Sequence, residues 1–463
     1  MNDSNGLDAL LAVDTRRALG QSIGLTAFVW GYPLVESVRT CALQTQAGRR
    51  GQATWHAGMD RIQHGKRAAT DRDRDVVTPA NDLLYTTGWF NLANGPRLLH
   101  VPSSARHARR FFVLALYDAW TNNFENPGLR DSPPEGEVVA LVGPGTPADA
   151  ALPAGARVVR SPTDLVWLIG RTVVGDEADR VAARALQDDI RLECPAGTDS
   201  GRAPASVADW TGAAEDTVAA LQARPQDLEA ITGAFFTNLC RALADQPAPA
   251  SDAGLQEWLA RARIVPGAAF DWARLDPSTR AGLCQGLREG VALMLQASHS
   301  QVARPWAASY VLGLYGNAYL VRALTAYKGL GALQARQAVY AMGDFDGQRQ
   351  PLHGSRRYVM RFEPGDLPPV DAFWSLTMYD ADRFLYTNPI ARFSIGDRTP
   401  DLQSDPDGGL SLLIGHEAPA DTRNWLPAPA GPFYVILRMY LPREEVRSWR
   451  IPPLMPLDAP AAA

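Results

Sequence analysis

Cysteine is scarce. The chain has four in 463 residues, Cys41, Cys194, Cys240 and Cys284, with no CxxC or CxC pair. That argues against a disulfide framework and against a thiolate zinc site, and scattered reduced thiols fit a cytoplasmic protein. Basic excess is also missing. Lys and Arg number 45 against 50 Asp and Glu, a net charge of −5, so no surface is expected to draw nucleic acid through its phosphates. No apolar run approaches the ~18 residues of a membrane span, so no membrane partner is expected. The first residues lack the basic and apolar regions of a signal peptide. None of the seven His falls in an HxH or HExxH arrangement, and there is no Gly-x-Ser-x-Gly elbow, Walker loop or GxGxxG. The sequence therefore predicts no metal and no nucleotide cofactor.

Turn formers, by contrast, are plentiful, with 35 Pro and 39 Gly. Between the turns lies an internal duplication. Phe111–Asp118 is an apolar run ending in Tyr117-Asp118, with Asn126-Pro127 soon after. Phe373–Asp380 ends in Tyr379-Asp380, with Asn388-Pro389 after it. Val139–Gly143 then corresponds to Leu410–Gly415, and Leu165–Arg171 to Phe433–Arg438, with a similar Asp-to-Arg spacing in both copies. A repeated order of apolar runs and turns reads as a duplicated β unit.

The rest of the chain surrounds and joins the copies. Residues 7–47 have helical spacing, which Pro33 is expected to kink or restart. Residues 48–75 read as a polar surface loop. Leu83–Phe90 reads as a strand, and Phe111–Tyr117, apolar at every position, as a strand buried on both faces. From 196 to 345 the texture is helical, including 278–302 and 314–341. The expected architecture is α+β and multi-domain. It has an N-terminal helical region and loop (1–75), a first unit (76–195), a mostly helical linking segment (196–345) and a second unit (346–463). Each unit is expected to be an antiparallel, jelly-roll-like β-sandwich.

Several segments resemble a known family. Phe28-Val-Trp-Gly-Tyr-Pro33, Pro79-Ala-Asn-Asp-Leu-Leu-Tyr85, Leu116-Tyr-Asp118 and Trp167-Leu-Ile-Gly-Arg171 are similar to the domain of unknown function numbered 1254. Phe373–Asp380, Asn388–Arg398 and Asn424–Phe433 are similar to the domain numbered 1214. The resemblance implies two related β units joined by helices, and transfers no reaction. The usual Asn-Asp-Thr-Leu-Tyr of the first domain stands here as Asn81-Asp-Leu-Leu-Tyr85, one hydroxyl fewer.

Candidate chemistry gathers at a few positions. Asp118 fits a general acid or base, beside Trp120 and Asn122; the plainer reading is a carboxylate that ties down its own turn. Asp380 invites the same two readings. Arg171 and Arg438 stand in apolar strands and need partners. Each fits a clamp for an anionic ligand, or an internal ion pair with Asp118 or Asp380. Asn81, Tyr85 and Tyr32 fit ligand-positioning groups; the alternative is a turn and a half-buried Tyr. A pocket is expected between the first unit and the helices. The leading functional expectation is a cofactor-independent enzyme acting by acid–base chemistry on a small, largely apolar metabolite, with Asp118 and Arg171 as catalytic pair. The alternative is a non-catalytic protein that binds a ligand or glycan or serves as a scaffold, and duplication suits a homo-oligomer.

Overall fold

The structure is a computed structural model and describes residues 12–46, 57–74, 77–175, 177–210, 216–298 and 303–457. The expected helix start at 7–11, part of the polar stretch after 47 and the last residues of the second unit, 458–463, lie outside them. The first half contains β1 (Arg61–His64), β2 (Leu83–Asn91), β3 (Arg97–Val101), β4 (Phe112–Asp118), β5 (Asn123–Glu125), β6 (Glu137–Val142), β7 (Arg157–Arg160), β8 (Leu165–Val173) and β9 (Arg191–Glu193). The second contains β10 (Ala307–Ala308), β11 (Ala338–Gly343), β12 (Tyr358–Phe362), β13 (Val370–Asp380), β14 (Ser394–Gly396), β15 (Leu410–Gly415), β16 (Trp425–Pro427), β17 (Phe433–Pro442) and β18 (Met455–Pro456).

These strands form four open sheets. One has the order β1-β2-β8-β4-β5 and its counterpart β10-β11-β17-β13-β14; another has β7-β6-β3-β9 and its counterpart β16-β15-β12-β18. The orders correspond strand for strand, so the duplication extends to topology. Pairing is antiparallel except for β6–β7 and β15–β16, which are parallel in both copies.

The apolar run of β4 is explained by alternation. Successive side chains of a strand point to opposite faces. Phe112, Leu114 and Leu116 enter a core shared with β3 and β6, while Val113, Ala115 and Tyr117 join a separate core on the helical side. Strand β17 divides likewise: Val435, Leu437 and Met439 face the second inter-sheet core, and Arg438 and Tyr440 point the other way.

The helices are α1 (Val13–Thr45), α2 (Asp179–Asp189), α3 (Ala205–Ala208), α4 (Thr217–Ala223), α5 (Leu228–Asp245), α6 (Ala253–Ala260), α7 (Pro277–Ser298) and α8 (Tyr319–Gly329). Helix α1 runs unbroken through Pro33, which corrects the expected interruption. The missing N–H costs one helical bond, but Tyr32, Pro33 and Leu34 are all buried, and packing on every side holds the turn together. Helix α7 lies tightly against α1 because glycines meet there. A Cβ on Gly24 would sit 2.6 Å from the Leu283 carbonyl oxygen.

Two further expectations change. The polar stretch 48–75 is not all surface loop. It supplies β1 and the buried Asp60, whose carboxylate pairs at 2.8 Å with Arg97, itself wholly buried. The helix expected over 314–341 ends at Gly329, and Ala338–Gly343 is instead β11, which pairs along β17. Among the described residues no helix is long and apolar enough to cross a membrane.

Candidate functional site

Alternation along the two central strands builds the site. On β8, Trp167, Ile169 and Arg171 share one face, and Tyr85 of β2 stands directly across from Arg171. On β17, Ile436, Arg438 and Tyr440 share the corresponding face, and Tyr340 of β11 stands directly across from Arg438. The duplication thus places a Tyr–Arg cross-strand pair in each unit, Tyr85–Arg171 and Tyr340–Arg438. All four residues line a single cavity of about 470 Å³. Helix α8 closes a further side with Val321, Leu324, Thr325 and Lys328. Apart from these polar groups the wall is mostly apolar, and the volume suits a small molecule.

Each arginine grips a turn that leads into the other unit. The Arg438 guanidinium donates to the carbonyl oxygen of Thr78 at 2.8 Å, just ahead of β2, and to Thr377 Oγ1 at 3.0 Å. The Tyr379 hydroxyl donates to the Pro79 carbonyl at 2.7 Å. Reciprocally, Arg171 donates to the Gly331 carbonyl at 2.6 Å, just ahead of β11, and the Tyr117 hydroxyl donates to that same oxygen at 2.7 Å. Both gripped residues have left-handed backbones, with φ of 55° at Thr78 and 83° at Gly331. Glycine adopts this region freely; a β-branched residue does so only when its surroundings impose it. The Thr78 hydroxyl lies 2.7 Å from the Val77 carbonyl oxygen and 3.2 Å from that of Lys328, at the end of α8.

The electrostatics are unbalanced. Arg171 and Arg438 are 8% and 3% exposed. An arginine keeps its charge when buried, so it needs anionic or strongly polar partners. Their hydrogen bonds go to carbonyls and hydroxyls, and among the described residues no carboxylate pairs with either. The expected Asp118–Arg171 and Asp380–Arg438 ion pairs are therefore absent. Register gives the reason. Arg171 lies opposite Val113, whereas Asp118 lies opposite Val166, five residues along the strand. At ~3.3 Å per residue that separates them by roughly 17 Å.

Asp118 instead ties down its turn. Its carboxylate accepts from the Asn122 backbone N–H at 2.8 Å and the Asn122 side-chain amide at 2.9 Å. Burial pushes its pKa up to about 6, against the pull of these bonds. Asp380 does likewise, accepting from the N–H groups of Asp382 and Phe384. Trp120 packs tilted against Trp30, ring centroids 4.8 Å apart, and donates to the Pro247 carbonyl, in the helical core. Tyr32 packs on Phe28 in that same core, and burial raises its pKa. None of Tyr32, Asp118, Trp120 and Asn122 lines the cavity. Tyr85 does, and its hydroxyl accepts from the Ala80 N–H. Asn81 and Asp82 stand just behind the gripped turn. Burial raises the Asp82 pKa, and the Arg438 charge draws it down.

Of the expected site, then, the structure brings together Tyr85 and Arg171. It brings in Arg438, for which the sequence offered the same two readings as for Arg171, an anion clamp or an internal ion pair. It also adds Tyr340 and Lys328, which sequence reasoning missed. The available signal for Tyr340 was the duplication itself, since a counterpart to β2 had to precede the second unit.

Comparison with known proteins finds one family match in each half of the chain. Residues 59–194 match the family described as "Protein of unknown function (DUF1254)", and residues 337–444 match "Protein of unknown function (DUF1214)". Among solved structures, the VPA0106 protein of Vibrio parahaemolyticus is 22% identical, with a TM-score of 0.65 over 95% of this chain and all of that one. It shares the fold. A putative uncharacterized protein from Burkholderia cenocepacia is 10% identical, with a TM-score of 0.43 over 96% of this chain and 94% of that one. No curated protein matches.

Proposed function

We propose that this member of the tandem DUF1254–DUF1214 family binds a small, largely apolar molecule through that molecule's anionic group. The observation that carries the reading is the convergence on one mostly apolar cavity of two buried arginines, neither of them in a direct ion pair with a carboxylate among the described residues. A carboxylate or phosphate there would answer both guanidinium charges in a desolvated setting, where charge-assisted bonds are strongest. Tyr85 and Tyr340 flank the two arginines and complete a near-symmetric cradle. On this reading each unit is a jelly-roll-like sandwich whose helix-facing sheet contributes one Tyr–Arg pair. Arg171 keeps its expected part as anion clamp, and Asp118 is a turn anchor.

Calorimetric titration tests the reading. Octanoate should bind saturably, and octanol, equal in length but uncharged, should bind at least about tenfold more weakly, since one charge-assisted bond is worth ~1.5–3 kcal/mol. Equal affinity for acid and alcohol would sink it.

A further inference from the structure

We propose that Lys328 is a nucleophile of this cavity, forming an imine with the carbonyl of an oxo acid whose carboxylate sits at Arg171 and Arg438. The inference rests on the anion-binding reading and narrows the ligand class to carboxylic acids that carry a ketone or aldehyde on an otherwise apolar chain.

Three observations converge. Lys328 lies on the wall of the cavity that holds both arginines. Among the described residues no carboxylate pairs with its amine, whose hydrogen-bond acceptor is the backbone carbonyl of Ser298. The chain is also nearly devoid of lysine: of its 45 basic residues only Lys66 and Lys328 are not arginine, and Lys66 is exposed. An arginine would serve for charge alone, but it cannot become a neutral nucleophile. Burial lowers the Lys328 pKa, Arg383 adds to that effect, and Asp344 opposes it. A desolvated amine near other cations is the setting in which lysine reacts with carbonyls.

The step balances with no outside oxidant or reductant. The neutral amine's lone pair attacks the carbonyl carbon, a C–N bond forms, and the C=O π electrons move to oxygen. Both amine hydrogens then leave with that oxygen as water, and C=N remains. Asp344 lies on the same cavity wall, and its carboxylate would carry the proton from nitrogen to the departing hydroxyl.

The test is reductive trapping on the whole protein. α-Oxooctanoate and sodium cyanoborohydride are added, and peptide mass mapping locates the adduct, whose added mass is that of the acid less one oxygen. The proposal expects an adduct on Lys328, with Lys66 labelled to about a tenth of that extent or less, as positioning in a site requires. Octanoate should compete with the labelling. Lys328→Arg should abolish it. Octanoate binding without an adduct on Lys328 would overturn this inference alone. Failure of both binding and trapping would overturn the anion-binding reading as well. Equal labelling of Lys66 and Lys328 would show solution chemistry and also overturn the proposal.

Discussion

The reciprocal grip of the two arginines makes an asymmetric prediction. Arg171→Met and Arg438→Met remove equivalent side chains from equivalent strands, and each replaces a buried charge by an apolar chain of similar length. Loss of the Arg171 charge itself should be neutral or stabilising, because a buried guanidinium without a paired carboxylate is costly to desolvate, whereas loss of the Arg438 charge also removes a favourable neighbour of the Asp82 carboxylate. The carbonyls left behind differ. The Gly331 oxygen also accepts from the Tyr117 hydroxyl, so it stays bonded in Arg171→Met. Among the described residues the Thr78 oxygen accepts from Arg438 alone. In Arg438→Met that carbonyl is stranded at a residue already held at a φ of 55°. An unsatisfied buried carbonyl costs ~1–3 kcal/mol. Arg438→Met should therefore be less stable than Arg171→Met by about that amount. Guanidinium chloride unfolding followed by tryptophan fluorescence reads the difference. Equal midpoints, or a lower midpoint for Arg171→Met, would refute the grip as the source of stability. Both variants should also weaken octanoate binding, by roughly 10- to 150-fold for ~1.5–3 kcal/mol.

Other perturbations follow from the same geometry. Asp118 has a folded pKa of about 6, raised by burial above the unfolded value near ~3.9. A raised acid stabilises the fold while protonated, so its contribution is present below about pH 4 and is lost as pH rises through 6, amounting to ~3 kcal/mol. Unfolding of Asp118→Asn measured from pH 4 to 7 should show a flatter pH slope than wild type, and an unchanged slope would contradict the buried, protonatable state. The same variant should keep wild-type octanoate affinity, because Asp118 is not on the cavity wall; a large loss would return it to the site. Gly331→Ala should destabilise by ~1–3 kcal/mol, since its φ is 83° and the new Cβ would meet Ile169 Cδ1 at 2.4 Å. Thermal unfolding checks this, and a neutral outcome would mean that the turn relaxes.

Much of the fold was legible in the sequence, because its duplication repeats residue types that physics constrains. A run such as Phe112–Asp118 has apolar side chains at successive positions only when both faces are buried, and Tyr-Asp closes the run in both copies. An arginine inside such a run, as at 171 and 438, announces a polar demand. The sequence did not say which partner meets it. That depends on register, and register put Asp118 at the far end of the strand from Arg171. Tyr340 stayed hidden because Gln-Ala-Arg-Gln-Ala-Val-Tyr-Ala-Met, residues 334–342, has the composition of a helix. Pairing with β17 makes its end a strand, as tertiary context overrides propensity. The position of the cavity was half legible. It does adjoin the first unit and a helix, but its other wall is the second unit, and no local pattern records that two distant arginines face one space.

The central claim is that one anionic group is shared by Arg171 and Arg438. The most direct measurement is a crystal structure of the protein grown with octanoate. The account predicts the carboxylate within hydrogen-bond reach of both guanidinium groups and the chain against Ile169, Leu324 and Ile436. A carboxylate bound elsewhere, or an acyl chain in the cavity with its carboxylate turned away from both arginines, would contradict it.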